Sequence, residues 1–191
     1  MKIVIVGCGR VGAVLAESYD AAGHEVVVLD MSTRAFDRLP SEFRGSAIRG
    51  DGTDEDTLRR AGSEGADIFL ALTEGDNRNT MAAQVATEKL GIERVVAKIN
   101  DPVRAAAYAE LGITTVCRTT MLADAISGLL GFAPSGVPSV IAASGGHHAD
   151  QDRPPIASRV AITTAEASGT TASGTTASGT TASGAGAGRE G

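Results

Sequence analysis

The chain has 191 residues, with 23 Asp plus Glu against 17 Lys plus Arg and a net charge of −6. That acidity argues against nucleic acid as the main partner, because binding a phosphate backbone needs a basic face. Aromatic residues make up 3% of the chain and Trp is absent, which excludes a base-stacking surface and leaves Val, Ile, Leu and Ala to build the core.

Residues 2–6 (KIVIV) are a short apolar run with β-branched side chains, the pattern of a strand buried in a parallel sheet. The run leads into a complete G-x-G-x-x-G at Gly7, Gly9 and Gly12, and the pattern over residues 10–22 is helical, closed by Gly23. In such a motif the first glycine permits the tight turn, the second lets the backbone approach a phosphate, and the third lets helix and strand pack closely. The free N–H groups and positive dipole end of the helix then face the phosphates. Residues 25–29 form a second strand that ends at Asp30, where a Rossmann unit places a carboxylate for ribose hydroxyls. A carboxylate there disfavours a 2′-phosphate, with Arg34 nearby as the one countervailing charge.

A short helix is expected over residues 32–38, with Ser32 and Thr33 as N-cap candidates and Pro40 preventing continuation. Residues 46–49 read as a third strand ending at Gly50-Asp51-Gly52-Thr53. The helix that follows begins near Asp54, with acids in its first turn and Arg59-Arg60 in its last. Strands are expected over 67–72, 94–99 and 114–117, and helices from 77 to 90 and from Pro102 to about 111. This β-α alternation implies an α/β fold, a Rossmann-like doubly wound parallel sheet with right-handed crossovers and ligand at the carboxyl ends of the strands.

Three further strand ends carry polar loops. At Gly50-Asp51-Gly52-Thr53, Asp51 can accept from an adenine amino group, or the loop is a turn and helix cap. The segment 73–79 can line a phosphate or second ribose, or cap the helix after it. Lys98 ends a strand on the ligand side, as a phosphate contact or a solvated strand end. Arg10 inside the glycine loop can reach a terminal phosphate or a neighbouring subunit's ligand, or stand free in solvent. The candidate ligand-binding set is Gly7, Cys8, Gly9, Arg10, Val11, Gly12, Asp30, Asp51, Gly52, Thr53, Thr73 and Lys98.

Cys8 and Cys117 have no metal-type spacing and read as small buried residues in a reduced cytoplasmic setting. The N-terminal apolar stretch breaks at Gly7, so no signal peptide is expected, and no apolar run approaches the length of a membrane span. No His, Lys or Cys is placed as a catalytic acid, base or nucleophile, and there is no substrate domain beside the Rossmann unit. His147-His148 lacks a third ligand for a metal.

Residues 119–132 form an amphipathic helix with Met121, Leu122, Ala125, Ile126, Leu129 and Leu130 on its apolar side. It either covers the sheet or is an arm that packs on a second subunit. Pro134, Gly136 and Pro138 then break regular structure, with one last strand conceivable in 137–142. From residue 144 the chain is small and polar, and 168–184 repeats S-G-T-T-A, the composition of a disordered tail. The organisation expected is a nucleotide-binding domain over 1–118, a crossover helix and short extension over 119–143, and a low-complexity tail over 144–191.

The stretches MKIVIVGCGRVG, the Asp30 strand end, GDGTDEDTLRRAGSEGADIFLALTEGDNRNTMAAQVA and VVAKINDPVRAAAYAELGITTV resemble the regulatory nucleotide-binding subunits of Trk/Ktr potassium uptake systems, the RCK/KTN domain family. The likeness covers about residues 1–130. It implies a regulatory, non-enzymatic subunit, peripheral on the inner face of the cell membrane and partnered with a potassium channel or transporter. It also implies a homodimer formed through a crossover helix, assembling into a ring that binds ATP, ADP or NAD(H). Carried over by position, Gly7, Gly9, Arg10 and Gly12 would hold phosphates, Asp30 the ribose, and Asp51 with Thr53 the adenine side, with Thr73 and Lys98 beside them. Arg10 follows members that bind ATP and ADP. Family members often add a second α/β lobe, where this chain has breakers and the repeat, a departure that speaks against a second ligand site and for a subunit that works with a companion regulatory chain. The alternatives are an NAD-dependent oxidoreductase, or a cofactor-binding fragment of one, and a redox sensor acting on DNA.

Overall fold

The computed structural model describes residues 1–143. The low-complexity tail and His147-His148 lie outside the described residues.

The expected alternation forms. In chain order the elements are β1 (Lys2–Val6), α1 (Arg10–Ala21), β2 (Glu25–Asp30), a 3-10 helix (Thr33–Arg38), β3 (Ser46–Arg49), α2 (Glu55–Arg60) and β4 (Ile68–Ala71). Then come α3 (Asp76–Glu88), β5 (Val95–Ile99), α4 (Pro102–Glu110), β6 (Thr114–Cys117), α5 (Arg118–Leu129) and β7 (Val140–Ile141). The sheet order is β3-β2-β1-β4-β5-β6-β7, parallel throughout except for the antiparallel β6–β7 pair. Strand order reverses between β1 and β4, the switch point at which doubly wound sheets open a crevice.

Alternation along β1 divides the core. Ile3 and Ile5 face one side with Val26, Val28 and Leu70, covered by Ala13 and Ala16 of α1. Val4 and Val6 face the other with Val27, Leu29 and Phe69, covered by Leu58 of α2 and by Ala82, Ala83 and Ala86 of α3. Alanine at these helix contacts lets the backbones approach closely, which is how a core nearly without aromatics reaches native density.

The helix starts follow from sequence. Asp54 caps α2 by accepting the Thr57 N–H at 2.9 Å. Asp101 caps α4 by accepting from Val103 and Arg104, with Pro102 where its missing N–H costs nothing. The segment after β2 forms a 3-10 helix. Its N-cap Ser32 makes no side-chain cap bond, and Leu39 before Pro40 is extended, as the residue ahead of a proline prefers.

Helix α5 does not cover the sheet. Thr120 is its buried residue, while Met121 is 48%, Ile126 49% and Leu129 87% exposed. The strand conceived in 137–142 is the two-residue β7 on the sheet edge. Among the described residues no helix is long and apolar enough to cross a membrane.

Candidate functional site

A cleft opens at the carboxyl ends of β1, β2, β3 and β4. It is lined by Val6, Gly7, Gly9, Leu29, Asp30, Met31, Gly50, Asp51, Gly52, Leu72, Thr73, Glu74 and Arg78. Past Met31, Gly50 and Asp51 it continues into a second hollow bordered by Arg49. Six of the residues singled out in sequence therefore converge: Gly7, Gly9, Asp30, Asp51, Gly52 and Thr73.

The glycine loop is built by close approach. Gly7 has φ +105°, and a Cβ there would stand 2.9 Å from the Leu72 carbonyl carbon and the Thr73 nitrogen. A Cβ on Gly12 would collide with the Gly7 carbonyl oxygen, so the first turn of α1 can sit against the loop only with glycine at that position. At Gly9 a Cβ would meet no atom within 4 Å among the described residues. That open side borders the cleft, where a phosphate needs bare backbone. Arg10, Val11 and Gly12 occupy the first turn of α1, whose N–H groups have no acceptor within the helix. None of the three lines the cleft; the helix N-terminus that they form adjoins Gly9, which does. Arg10 is exposed and Cys8 is buried beneath the loop.

Asp30 does more than end a strand. Its Oδ2 accepts the Cys8 N–H at 2.8 Å and its Oδ1 accepts the Ser32 N–H at 2.9 Å. Each oxygen keeps a second lone pair for a ligand hydroxyl. The Cys8 thiol is pushed above its ordinary value by burial first and then by the Asp30 carboxylate, with Arg38 opposing. The thiol stays protonated and unreactive at neutral pH.

In the second loop Asp51 Oδ1 accepts from the Thr53 N–H at 3.0 Å and the Thr53 hydroxyl at 2.8 Å. The turn reading therefore holds for one oxygen of Asp51, while the residue itself still borders the cleft. Thr53 does not. A Cβ on Gly52 would run into the Val6 side chain, so this glycine serves packing beneath the cleft floor.

In the third loop a fully buried amide, Asn79 on α3, fixes the geometry. Its Oδ1 accepts from the Thr73 N–H at 2.8 Å and the Thr73 hydroxyl at 2.7 Å. Its Nδ2 donates to the Thr73 carbonyl at 2.9 Å and the Lys98 carbonyl at 2.7 Å. Asp76 in turn accepts from Asn100 and Asp101. The ends of β4 and β5 are thus tied together by side chains of α3. Lys98 lies outside the cleft lining, its side chain 8% exposed and its Nζ 3.5 Å from Glu74.

Sequence reasoning did not single out Met31, and it reached Glu74 and Arg78 only as members of the 73–79 loop, not as candidate ligand residues. Arg78 is the one cation in the lining, opposite three carboxylates, Asp30, Asp51 and Glu74. Its sequence signal was its place in the first turn of the helix after a ligand-side strand end.

A cleft of this kind suits an adenine nucleotide: bare backbone at Gly9, unsatisfied helix N–H groups, a carboxylate at the ribose position and a guanidinium across from the loop. The TrkA-N domain model matches residues 3–119. The chain is 48% identical over 136 residues to the Trk system potassium uptake protein TrkA of Streptomyces coelicolor, covering 71% of this chain and 60% of that protein. It is 38% identical over 102 residues to a Trk system potassium uptake protein TrkA homolog of Archaeoglobus fulgidus, covering 53% of this chain and 23% of that one. The chain thus spans less than two thirds of the length of these relatives. Among solved structures, the TrkA-N domain of the inner membrane protein ybaL of Escherichia coli superposes with a TM-score of 0.60 at 25% identity, covering 68% of this chain and 96% of that one. A Shewanella denitrificans Kef C-terminal domain in AMP-bound form superposes with a TM-score of 0.55 at 25% identity, covering 69% and 82%. With more than half of its length matched and the glycine loop, strand order and cleft in place, the chain belongs to the TrkA-N domain family.

Proposed function

We propose that this chain is a nucleotide-binding regulatory subunit that gates a membrane potassium uptake channel or transporter, and that it performs no chemistry on its ligand. The observation that carries the reading is the convergence of Gly7, Gly9, Asp30, Asp51 and Thr73 on one cleft at the switch point, in a chain of this family. The name of the Streptomyces relative supports potassium uptake as the process, and the AMP-bound Kef domain supports an adenine nucleotide as the ligand class.

In this reading ATP, ADP or NAD(H) lies across the cleft. The N–H groups of Arg10, Val11 and Gly12 hold phosphate, Asp30 takes the ribose, and the base lies toward Asp51 and the hollow beside Arg49. The subunit is cytoplasmic, peripheral on the inner face of the membrane. It dimerises through α5 and assembles into a ring, with a companion regulatory chain as a further partner. The nucleotide gates only to the extent that it binds two arrangements of the assembly with different affinity.

The test is potassium flux through the cognate membrane partner, reconstituted with this chain and titrated with ATP, ADP, NAD⁺ and NADH. Flux that differs between nucleotides supports the gate. Equal flux with all four, or turnover of NADH, overturns it.

A further inference from the structure

Resting on the proposal that a nucleotide occupies the cleft, we infer that Glu74 is a specificity-determining gate. It holds Lys98 and Arg118 back until a ligand with a polyphosphate draws them in. The site thereby selects ligands by the charge at their phosphate end.

Glu74 lines the cleft, and its carboxylate pairs with two cations. Oε1 lies 3.5 Å from Lys98 Nζ and Oε2 lies 3.8 Å from Arg118 Nη1. Neither cation lines the cleft. The Lys98 side chain is largely out of water, and a buried ammonium requires an anionic partner at all times; Glu74 is that partner here. The backbone of the loop is held. The Glu74 carbonyl accepts from Asn100 Nδ2 at 3.3 Å, and Asp76 Oδ1 accepts from Asn100 N and Nδ2 at 2.9 and 2.8 Å. The carboxylate itself is 81% exposed, so it can leave its two cations for water without moving the loop.

The charge balance gives the device its selectivity. With three carboxylates and one guanidinium lining the cleft, a short ligand that stops at the glycine loop meets net negative charge and gains nothing from Lys98 or Arg118. A di- or triphosphate extends further, carries more charge than one carboxylate, and accepts more hydrogen bonds from both cations. It therefore displaces Glu74 and uses the pair. Arg118 is also the first residue of α5, so the exchange cuts the ion pair that ties that helix to the cleft wall.

The experiment is calorimetric titration of the full chain with AMP, ADP and ATP, in wild type, Glu74→Gln, Arg118→Gln and the double variant. Glu74→Gln keeps the shape of an exposed side chain and frees both cations, so ADP and ATP should bind roughly three- to tenfold tighter, the range of two partly exposed ion pairs. Arg118→Gln should weaken ATP and leave AMP unchanged, and the gain from Glu74→Gln should shrink in the double variant, because the two share a partner. Unchanged or weaker ADP and ATP binding in Glu74→Gln overturns the gate while leaving the nucleotide site intact. Equal losses of AMP and ATP in Arg118→Gln also overturn it. Failure of every form to bind any of the three overturns the gate and the nucleotide reading together.

Discussion

The carboxylate of Asp30 accepts the backbone N–H of Cys8 at 2.8 Å, so the acid at the end of β2 is also the pin of the glycine loop. Its other oxygen holds Ser32. Replacing Asp30 by Ala leaves a buried N–H without a partner and should cost about 1–3 kcal/mol of stability. The midpoint of urea denaturation should fall accordingly, and nucleotide affinity should fall with it. Asp30→Asn can accept one N–H and turns an NH₂ group toward the other, so it should recover only part of either loss. Full nucleotide affinity in Asp30→Ala would show that the carboxylate neither shapes the loop nor meets the ligand.

Asn79 makes four hydrogen bonds while fully buried. Asn79→Ala orphans backbone groups of Thr73 and Lys98 at once and should destabilise the domain by about 2–4 kcal/mol, since deletions within a buried polar network exceed the value of one bond. Because Thr73 borders the cleft, affinity should also drop in the fraction that remains folded. Asn79→Asp tests the mechanism: it keeps the acceptor for Thr73 but sets a buried carboxylate oxygen against the Thr73 and Lys98 carbonyls, so at neutral pH it should melt no higher than Ala.

The glycine loop offers a separation of stability from binding. Gly9 has φ −76° and ψ −170°, a conformation open to any residue, and its Cβ would project into free space. Gly9→Ala should leave the melting temperature within the spread of surface substitutions, about 0.5 kcal/mol, yet weaken nucleotide binding by crowding the phosphate. Gly12→Ala drives a methyl onto the Gly7 carbonyl and should cost about 1–3 kcal/mol or more through overpacking. Equal effects of the two substitutions on melting would contradict this division of roles.

Much of this was readable from sequence because the signals were local. The runs at 2–6 and 25–29 and the glycine spacing set β1, α1 and β2, and their order predicts a cleft at the switch point. What sequence did not reveal depends on pairings between distant elements. Lys98 reads from sequence as a strand end, but β5 runs on to Ile99, and the Lys98 side chain is buried beside Glu74 and outside the cleft lining. Asp51 has one oxygen turned to Thr53, a choice between turn and ligand that composition alone left open. Arg78 falls within the 73–79 loop read from sequence, but its place in the cleft lining depends on how α3 packs. That α5 stands off the sheet was not readable either, because an apolar stripe looks the same whether it packs on the sheet or is left exposed.

Burial and the neighbouring Asp30 hold the Cys8 thiol above the ordinary 9.0. Its folded-state value exceeds its unfolded value, so its contribution to stability is complete below pH 9.0 and fades as pH rises through the folded value. Native protein at pH 8 should therefore leave Cys8 unlabelled by iodoacetamide while urea-unfolded protein labels fully, as read by peptide mass. Rapid native labelling of Cys8 would show an accessible thiolate, which this packing does not provide.

Helix α5 carries Leu122, Ile126 and Leu129 at positions 60%, 49% and 87% exposed, spaced so that they share a face. Burying such side chains against a second copy contributes up to about 1.5–3 kcal/mol each, and a two-fold contact buries the set once from each copy, a gain that offsets the cost of association. The full chain should sediment as a dimer or larger. Ile126→Asp with Leu129→Asp should move it to monomer, with the far-ultraviolet circular dichroism of the sheet retained, because neither side chain contributes to the core clusters. A wild-type chain that remains monomeric at tens of micromolar, or a double variant that stays dimeric, would remove α5 as the dimerisation element. The assembly would then have to be sought on another face of the domain.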